Sequence, residues 1–249
     1  TVFDLAKTSD TEMIINVTGQ QWWWEYDYPV QNEYGITQPI ITSGQLVIPA
    51  GTKVLLRQTS RDVIHSYWIP ALNGKRDAVP GRVHLNRIEA DKPGIYAGQC
   101  TEFCGLSHAN MRMEAVALSK ADFAKWVANQ LKPYTSPAEN TLAKEGETVF
   151  MNQCVRCHQV NSMKRADGTP VIAAPDENMV SGAAPNLSHL MSRNTFAGAT
   201  FDLLNKSCRN DVWGAESESF GAKYLSGVSE LCLNQYDLRG WLRNDPVMK

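Results

Sequence analysis

Apolar and polar residues alternate with a period of two through much of the first half of the chain. Such alternation is typical of β-strands that bury one face. A segment of this kind carries Trp22, Trp24, Tyr26 and Tyr28, which would share one face of a strand. Gly or Pro residues separate the others, which lie at 12–17, 45–49, 52–59, 83–90, 94–99 and 112–118. The pattern predicts a β-sandwich or β-barrel.

The period becomes helical after residue 118. Ser119 is a residue type that favours a helix N-terminus, and Phe123, Trp126, Val127 and Leu131 would lie on one face of the helix that follows it. We therefore expect a helix at this point of the chain.

A proline-containing segment at 132–140 is typical of a linker. The residues after it have mostly helical periodicity, interrupted by loops. Because 249 residues are enough for two domains, we predict a β domain at 1–118, a helix and linker at 119–140, and a mostly α-helical domain at 141–249.

The composition excludes some functions. With 24 basic and 26 acidic residues, the chain has a formal net charge of −2 and lacks the basic surface that nucleic-acid binding needs. No apolar run approaches the roughly 18 to 20 residues that span a bilayer, so we expect this stretch of chain to be soluble.

One short segment combines thiols, an imidazole and a thioether, namely Cys100, Cys104, His108 and Met111. Soft sulfur ligands together with imidazole favour copper. Zinc is the main alternative, but a structural zinc site takes four thiolate or imidazole ligands and rarely a thioether. The upstream segment 62–68 reads as a strand that could bring His65 to this loop.

A second metal-binding pattern follows the linker. Cys154, Cys157 and His158 form a Cys-x-x-Cys-His sequence, in which the thiols attach haem c covalently and the imidazole binds iron. A Cys-x-x-Cys pair alone would also suit a redox or zinc site, but the adjacent His favours haem.

These segments together resemble the CuA domain of subunit II of the haem-copper respiratory oxidases, fused to a cytochrome c domain. The family patterns Gly-x-Gln-Trp-x-Trp-x-Tyr-x-Tyr, Asp-Val-x-His-Ser, Lys-x-Asp-Ala-x-Pro-Gly-Arg and Cys-x-Glu-x-Cys-Gly-x-x-His-x-x-Met occur in this order between residues 11 and 118. The resemblance implies a cupredoxin fold for this part. It also implies that loop 182–190 packs on the proximal side of the haem.

The resemblance further implies a dinuclear copper centre bridged by the sulfurs of Cys100 and Cys104. His65 and Met111 would complete one copper, and His108 with the backbone carbonyl of Glu102 would complete the other. Because no coordination position stays open, such a centre would transfer electrons rather than bind substrate.

Two surface roles are also implied. The carboxylate of Glu102 would bind a magnesium or manganese ion at the boundary with subunit I, and Trp22 would be the point at which electrons reach the copper centre.

The function implied by the family is electron input to a proton-pumping terminal oxidase. Electrons would pass from haem c to CuA and on to haem in subunit I, which reduces oxygen to water. Its partners would be subunit I, the other oxidase subunits, and an upstream cytochrome c or quinol–cytochrome c reductase. Since the family begins with membrane helices and this chain with Thr1, we expect an extramembrane part of a membrane-anchored protein on the periplasmic side.

Two alternatives stay open. A CuA domain can also serve nitric or nitrous oxide reduction, although the loop 75–82 and Glu102 favour the oxidase. A thioredoxin-like copper-delivery protein also uses paired cysteines and a distant His, but it would need a βαβ pattern and would have no use for Met111.

Cys208 and Cys232 remain after copper and haem are assigned. Haem c is attached outside the cytoplasm, where disulfides persist, so we expect these two cysteines to pair; two free buried thiols are the alternative. The surrounding insert, 205–233, has no functional interpretation, and its run 216–219 is expected to be a solvated loop.

The resemblance also bears on the distal haem ligand. Related domains supply it from a Met-Pro loop after the segment matching 236–246, whereas this sequence ends at Lys249. We therefore predict that the usual distal ligand is missing from these residues. Met163 follows His158 too closely to reach the opposite face of the haem, Met179 and Met191 flank the loop on the proximal side, and Met248 lies before the usual ligand position.

Overall fold

A computed structural model describes residues 7–171 and 183–243. Its N-terminal part is a sandwich of a five-stranded sheet, in the order β3-β2-β1-β5-β8, and a three-stranded sheet, in the order β4-β10-β9. A small ribbon pairs β6 with β7. The strands are β1 Met13–Gln20, β2 Trp23–Tyr28, β3 Ile40–Ser43, β4 Gln45–Pro49, β5 Val54–Ser60, β6 His65–Tyr67, β7 Arg76–Ala78, β8 His84–Ile88, β9 Gly94–Gln99 and β10 Arg112–Leu118. The predicted cupredoxin-like β-sandwich is confirmed, which removes the thioredoxin-like alternative.

The alternating pattern becomes the buried face of the sheet. On β2, Trp24, Tyr26 and Tyr28 are fully buried, as the period of two predicts. Trp22 differs, because the strand begins one residue after it and its side chain is only partly buried. Glu25 is also buried, so the second face of β2 is not simply solvent-exposed.

The strand expected at 62–68 is shorter than predicted. Only His65–Tyr67 forms a strand, paired antiparallel with β7. Just before it, the backbone N–H of Asp62 donates to the Ser60 hydroxyl and that of Val63 donates to the Asp62 carboxylate. Side chains that bond the nearby backbone in this way compete with strand pairing, and they turn the chain into His65.

Helix α1, Lys120–Gln130, follows the sandwich. Its N-terminus is capped as predicted, because the Ser119 hydroxyl accepts a hydrogen bond from the Asp122 backbone N–H at 3.1 Å. Phe123 and Trp126 are buried, and the Trp126 ring lies 5.2 Å from that of Tyr28. The predicted apolar face thus holds the helix against the sandwich.

The C-terminal part is built from short elements: α2 Leu142–Gln153, β11 Thr195–Phe196, β12 Phe201–Asp202, α3 Lys206–Trp213, α4 Ser217–Leu225 and α5 Gln235–Arg243. Strands β11 and β12 form an antiparallel hairpin. No helix in the described ranges is both long and apolar enough to cross a membrane. The predicted domain limits stay predictions.

The insert 205–233 packs on the sandwich. Val212, Phe220 and Tyr224 belong to the same buried cluster as the sandwich core. The loop predicted at 216–219 is wrong in part: these residues are exposed, but Ser217 begins α4. The helix forms because Phe220 and Tyr224, four residues apart, face the core together.

Candidate metal centre

The structure brings the predicted sulfur and imidazole groups together. The sulfurs of Cys100 and Cys104 lie 3.9 Å apart, and both residues are buried. The Nδ1 atom of His65 lies 4.0 Å from the Cys100 sulfur, and the Nδ1 atom of His108 lies 3.5 Å from the Cys104 sulfur. Each imidazole therefore faces the thiol pair with the same ring nitrogen.

The remaining predicted donors lie beside the same sulfurs. The Met111 sulfur is fully buried and 3.8 Å from the Cys104 sulfur. The backbone oxygen of Glu102 is 3.4 Å from the Cys100 sulfur, while its side chain is exposed. One residue thus presents its carbonyl inward and its carboxylate to the surface.

Backbone pairing explains why a His from β6 meets the loop. The Thr101 backbone N–H donates to the Ser66 carbonyl at 3.1 Å, which places the β6 strand alongside the start of the loop. The Cys100 N–H donates to the Met111 carbonyl at 2.9 Å. Since β9 and β10 are antiparallel neighbours, the two ends of the loop meet, and Cys100 and Met111 become adjacent.

An aspartate orients the His65 ring. The Nε2 atom of His65 lies 2.8 Å from Asp62 Oδ1, so the hydrogen is assigned to Nε2 and Nδ1 is left to face the thiols. A carboxylate on the far nitrogen is the usual outer partner of a metal-binding His. Burial opposes protonation of His65, but Asp62 and Cys100 outweigh it and raise its pKa.

The ionisation of the thiol pair matches a cation site. Burial and the neighbouring Cys100 sulfur raise the pKa of Cys104 to about 12. Burial also opposes ionisation of Cys100, but hydrogen bonds from His65 and the nearby backbone outweigh it and lower its pKa. Ionisation of one thiol therefore disfavours ionisation of the other, and bound cations would stabilise both thiolates. With two thiols, two imidazoles, a thioether and a carbonyl, the donor set fits copper.

Sequence reasoning missed a pair of donors that hold the loop from outside. The Gln21 side-chain amide and the Trp22 indole N–H both donate to the Cys104 carbonyl, at 2.7 and 3.0 Å. Trp22 thus directly contacts the loop at 100–111, which we call the copper loop. The resemblance placed Trp22 at the copper centre but gave no role to Gln21, although the motif Gly-x-Gln-Trp contained this signal.

The haem-attachment segment is held by the loop predicted to lie on its proximal side. The His158 Nδ1 atom donates to the Pro185 carbonyl at 2.8 Å, which leaves Nε2 for iron. The Ala184 N–H donates to the Cys157 carbonyl, and the Leu187 N–H donates to the Gln159 carbonyl. Residue 182 of that loop lies outside the described residues.

The two attachment thiols and the methionines considered as distal ligands differ in exposure. Cys154 is partly buried and Cys157 is exposed, and neither is in a disulfide. Met163 is buried in a small cluster with Val155 and Val171, whereas Met191 is 44% exposed. Met179 and Met248 lie outside the described residues.

The two remaining cysteines are joined. Cys208, in α3, and Cys232 form a disulfide across 24 positions of sequence. It closes the segment that carries α3 and α4.

Comparison with known proteins assigns both parts of the chain. Residues 13–118 match the family described as cytochrome c oxidase subunit II, periplasmic domain, and residues 143–218 match the cytochrome c family. The chain belongs to the cytochrome c oxidase subunit II family. We call 13–118 the subunit II domain and 143–218 the cytochrome c domain.

Individual relatives agree with this assignment. The chain is 38% identical over 182 residues to cytochrome c oxidase subunit 2 of Alkalihalophilus pseudofirmus, covering 72% of this chain and 51% of that protein. It is 32% identical over 201 residues to the Bacillus subtilis protein of the same name, covering 78% of this chain and 51% of that protein. The chain thus spans about half the length of the curated relatives it matches.

A solved structure is also similar. The periplasmic domain of subunit II of cytochrome oxidase (CoxB) of Bradyrhizobium japonicum aligns with a TM-score of 0.45 at 29% identity, covering 50% of this chain and 96% of that one.

A buried polar network joins the cytochrome c domain to the subunit II domain. The Glu114 carboxyl accepts hydrogen bonds from the Gln45 amide at 2.7 Å and the Thr195 hydroxyl at 3.3 Å. The Gln45 carbonyl oxygen accepts from the Asn194 N–H at 3.0 Å and the Tyr224 hydroxyl at 3.3 Å. Burial raises the pKa of Glu114.

An arginine extends the network to the proximal loop of the haem site. Arg193 is 5% exposed and donates to the Ser43 hydroxyl at 3.0 Å, the Asn186 carbonyl at 2.8 Å and the Ser188 carbonyl at 2.9 Å. Burial lowers its pKa to about 10, so it stays charged at neutral pH. The loop that holds His158 is therefore tied to strand β3.

Proposed function

We propose that the chain is the electron-input subunit of a proton-pumping terminal oxidase. Single electrons would pass from covalent haem c to dinuclear CuA and on to haem in the catalytic subunit I, where oxygen is reduced to water. The chain itself would carry electrons, and the oxygen-reducing site would lie in its partner.

The observation that carries the proposal is the convergence of all six predicted copper donors around one thiol pair. They are His65, Cys100, the Glu102 carbonyl, Cys104, His108 and Met111. These residues would hold two copper ions, which would supply one-electron transfer. The β9–β10 pairing brings the two ends of the loop together and Asp62 orients the His65 ring, so the protein would hold these donors in place when the oxidation state of the copper changes.

The path between the two sites is supported by contacts around Trp22. Its indole N–H bonds to the copper loop. The neighbouring Gln20 side chain donates to the Ala183 carbonyl at 3.2 Å, two residues from the carbonyl that holds His158. The segment that carries Trp22 therefore contacts both the copper loop and the proximal haem loop, which supports electron entry at this point.

The location and partners follow from the family. We place the chain on the periplasmic side of a membrane-anchored complex with subunit I and other oxidase subunits, reduced by a cytochrome c or a quinol–cytochrome c reductase. The exposed Glu102 carboxylate is free to bind magnesium or manganese at the boundary with subunit I.

A metal and haem count with optical and EPR spectra tests the proposal. We expect two coppers, one covalent haem and a mixed-valence copper signal in the full chain. Replacing Cys100 and Cys104 with Ser should abolish the copper signal and keep the haem. Replacing Cys154 and Cys157 with Ser should do the reverse. A chain that binds zinc but no copper would refute the proposal.

A further inference from the structure

The β11–β12 hairpin of the cytochrome c domain lies on the copper loop. The Thr200 hydroxyl donates to the Asn110 carbonyl at 2.7 Å. The Arg112 N–H donates to the Gly198 carbonyl at 3.1 Å. These are the two peptide groups on either side of Met111, so the hairpin holds the backbone before and after this residue.

The other backbone groups of Met111 bond within the copper loop. Its N–H donates to the His108 carbonyl at 3.2 Å, and its carbonyl accepts from the Cys100 N–H at 2.9 Å. The peptide units around Met111 are therefore held half by the copper loop and half by the cytochrome c domain. This matters because the backbone position determines where the Met111 side chain begins, and the side chain reaches the Cys104 sulfur from there, at 3.8 Å.

The turn of the hairpin has the shape that this contact needs. Ala197, Gly198 and Ala199 all have positive φ, at 50°, 67° and 57°. Such conformations cost energy for alanine and persist where surrounding contacts hold them. At Gly198, a Cβ would lie 2.8 Å from the Trp22 carbonyl oxygen, so only glycine permits this approach.

The hairpin also packs against α5, which follows the cytochrome c domain in the chain. The rings of Phe196 and Phe201 stack with centroids 5.4 Å apart, and the Trp241 ring of α5 lies 6.0 Å from each, edge-on to Phe196 and tilted to Phe201. This aromatic cluster holds the hairpin whose turn contacts the copper loop.

We propose that Gly198 and Thr200 are positioning residues for the copper centre, through which docking of the cytochrome c domain sets the backbone position of Met111. The proposal rests on the proposed function for the identity of the metal, but the contact itself does not.

The test uses the full chain with Thr200→Val, which removes one hydroxyl donor and keeps the branched shape. Two readouts are compared with the parent: hydrogen exchange of the Arg112 amide, and the hyperfine pattern and reduction potential of the copper centre. Loss of one ordinary hydrogen bond would speed exchange about fivefold. We expect this acceleration in the copper-free protein, and a shifted copper potential with altered hyperfine splitting in the loaded protein. Gly198→Ala should give larger changes in the same direction.

Thr148→Val is the matched control. It also removes a threonine hydroxyl from the cytochrome c domain, but one that bonds the Lys144 carbonyl within α2 rather than any group of the subunit II domain. We expect parent-like Arg112 exchange and copper signals. Unchanged exchange and copper signals in Thr200→Val would overturn the inference, as would equal copper shifts in both variants. Because amide exchange needs no copper, a parent protein without the mixed-valence signal would refute the proposed function separately.

Discussion

Removing the disulfide should destabilise the chain by an amount that its loop length predicts. Cys208 and Cys232 are 24 residues apart. In the chain-entropy description, a cross-link of this span lowers the entropy of the unfolded chain enough to stabilise the fold by about 3.4 kcal/mol at 25 °C. We therefore expect the double variant Cys208→Ser, Cys232→Ser to lose about 3 kcal/mol of unfolding free energy.

The fold itself should survive this change. The closed segment carries Val212, Phe220 and Tyr224, which are buried in the sandwich core. Burial of such side chains contributes about 1.5 to 3 kcal/mol each. The loss should thus come mainly from greater freedom of the unfolded chain, with α3 and α4 still packed.

Denaturant unfolding of the full chain, followed by circular dichroism, measures the difference. Serine substitution is preferable to a reductant, because a reductant also acts on the copper and haem thiols. Ser207→Ala, at an exposed neighbour of Cys208, is the control and should stay within about 0.5 kcal/mol of the parent. A loss below about 1 kcal/mol in the double variant would refute the loop-closure reasoning.

Four substitutions test the site and its network. Trp22→Phe should slow haem-to-copper transfer in flash photolysis with the copper spectrum unchanged, since Gln21 still bonds the Cys104 carbonyl; an unchanged rate would place the electron path elsewhere. Glu102→Gln should keep the copper spectrum but weaken magnesium or manganese binding in the intact oxidase, measured by metal analysis; loss of copper would contradict this. Met111→Leu should shift the copper potential in a redox titration without removing the metal, and copper loss would count against the ligand assignment. Glu114→Gln tests how the ionisation of Glu114 affects stability. Because burial raises the pKa of Glu114 above its ordinary 4.5, the unfolding free energy of the parent should fall as the pH rises from 4.5 through the raised pKa. The variant should not show this fall when unfolding is measured against pH. Identical pH profiles would refute it.

Sequence alone determined the features that depend on residues close together in the chain. One loop contains Cys100, Cys104, His108 and Met111, and the haem-attachment motif spans five residues. The chemistry of these residue types therefore identified both sites. Periods of two and of about 3.6 residues predicted the sandwich and α1, because each period follows from the geometry of one element. Family resemblance supplied the arrangement of the copper ligands.

The tertiary structure decided the contacts between the two domains. The bonds of Thr195 to Glu114, of Arg193 to Ser43 and of Thr200 to Asn110 join residues 81 to 150 positions apart. In a single sequence, the polar residues that form these bonds would be expected at the solvent-exposed surface, since nothing near them in the sequence shows that another segment covers them. The loop expected at 216–219 was wrong in part for the same reason. The sequence indicated that these residues are exposed, but α4 forms against a sandwich surface that buries Phe220 and Tyr224 and exists only once the strands have assembled.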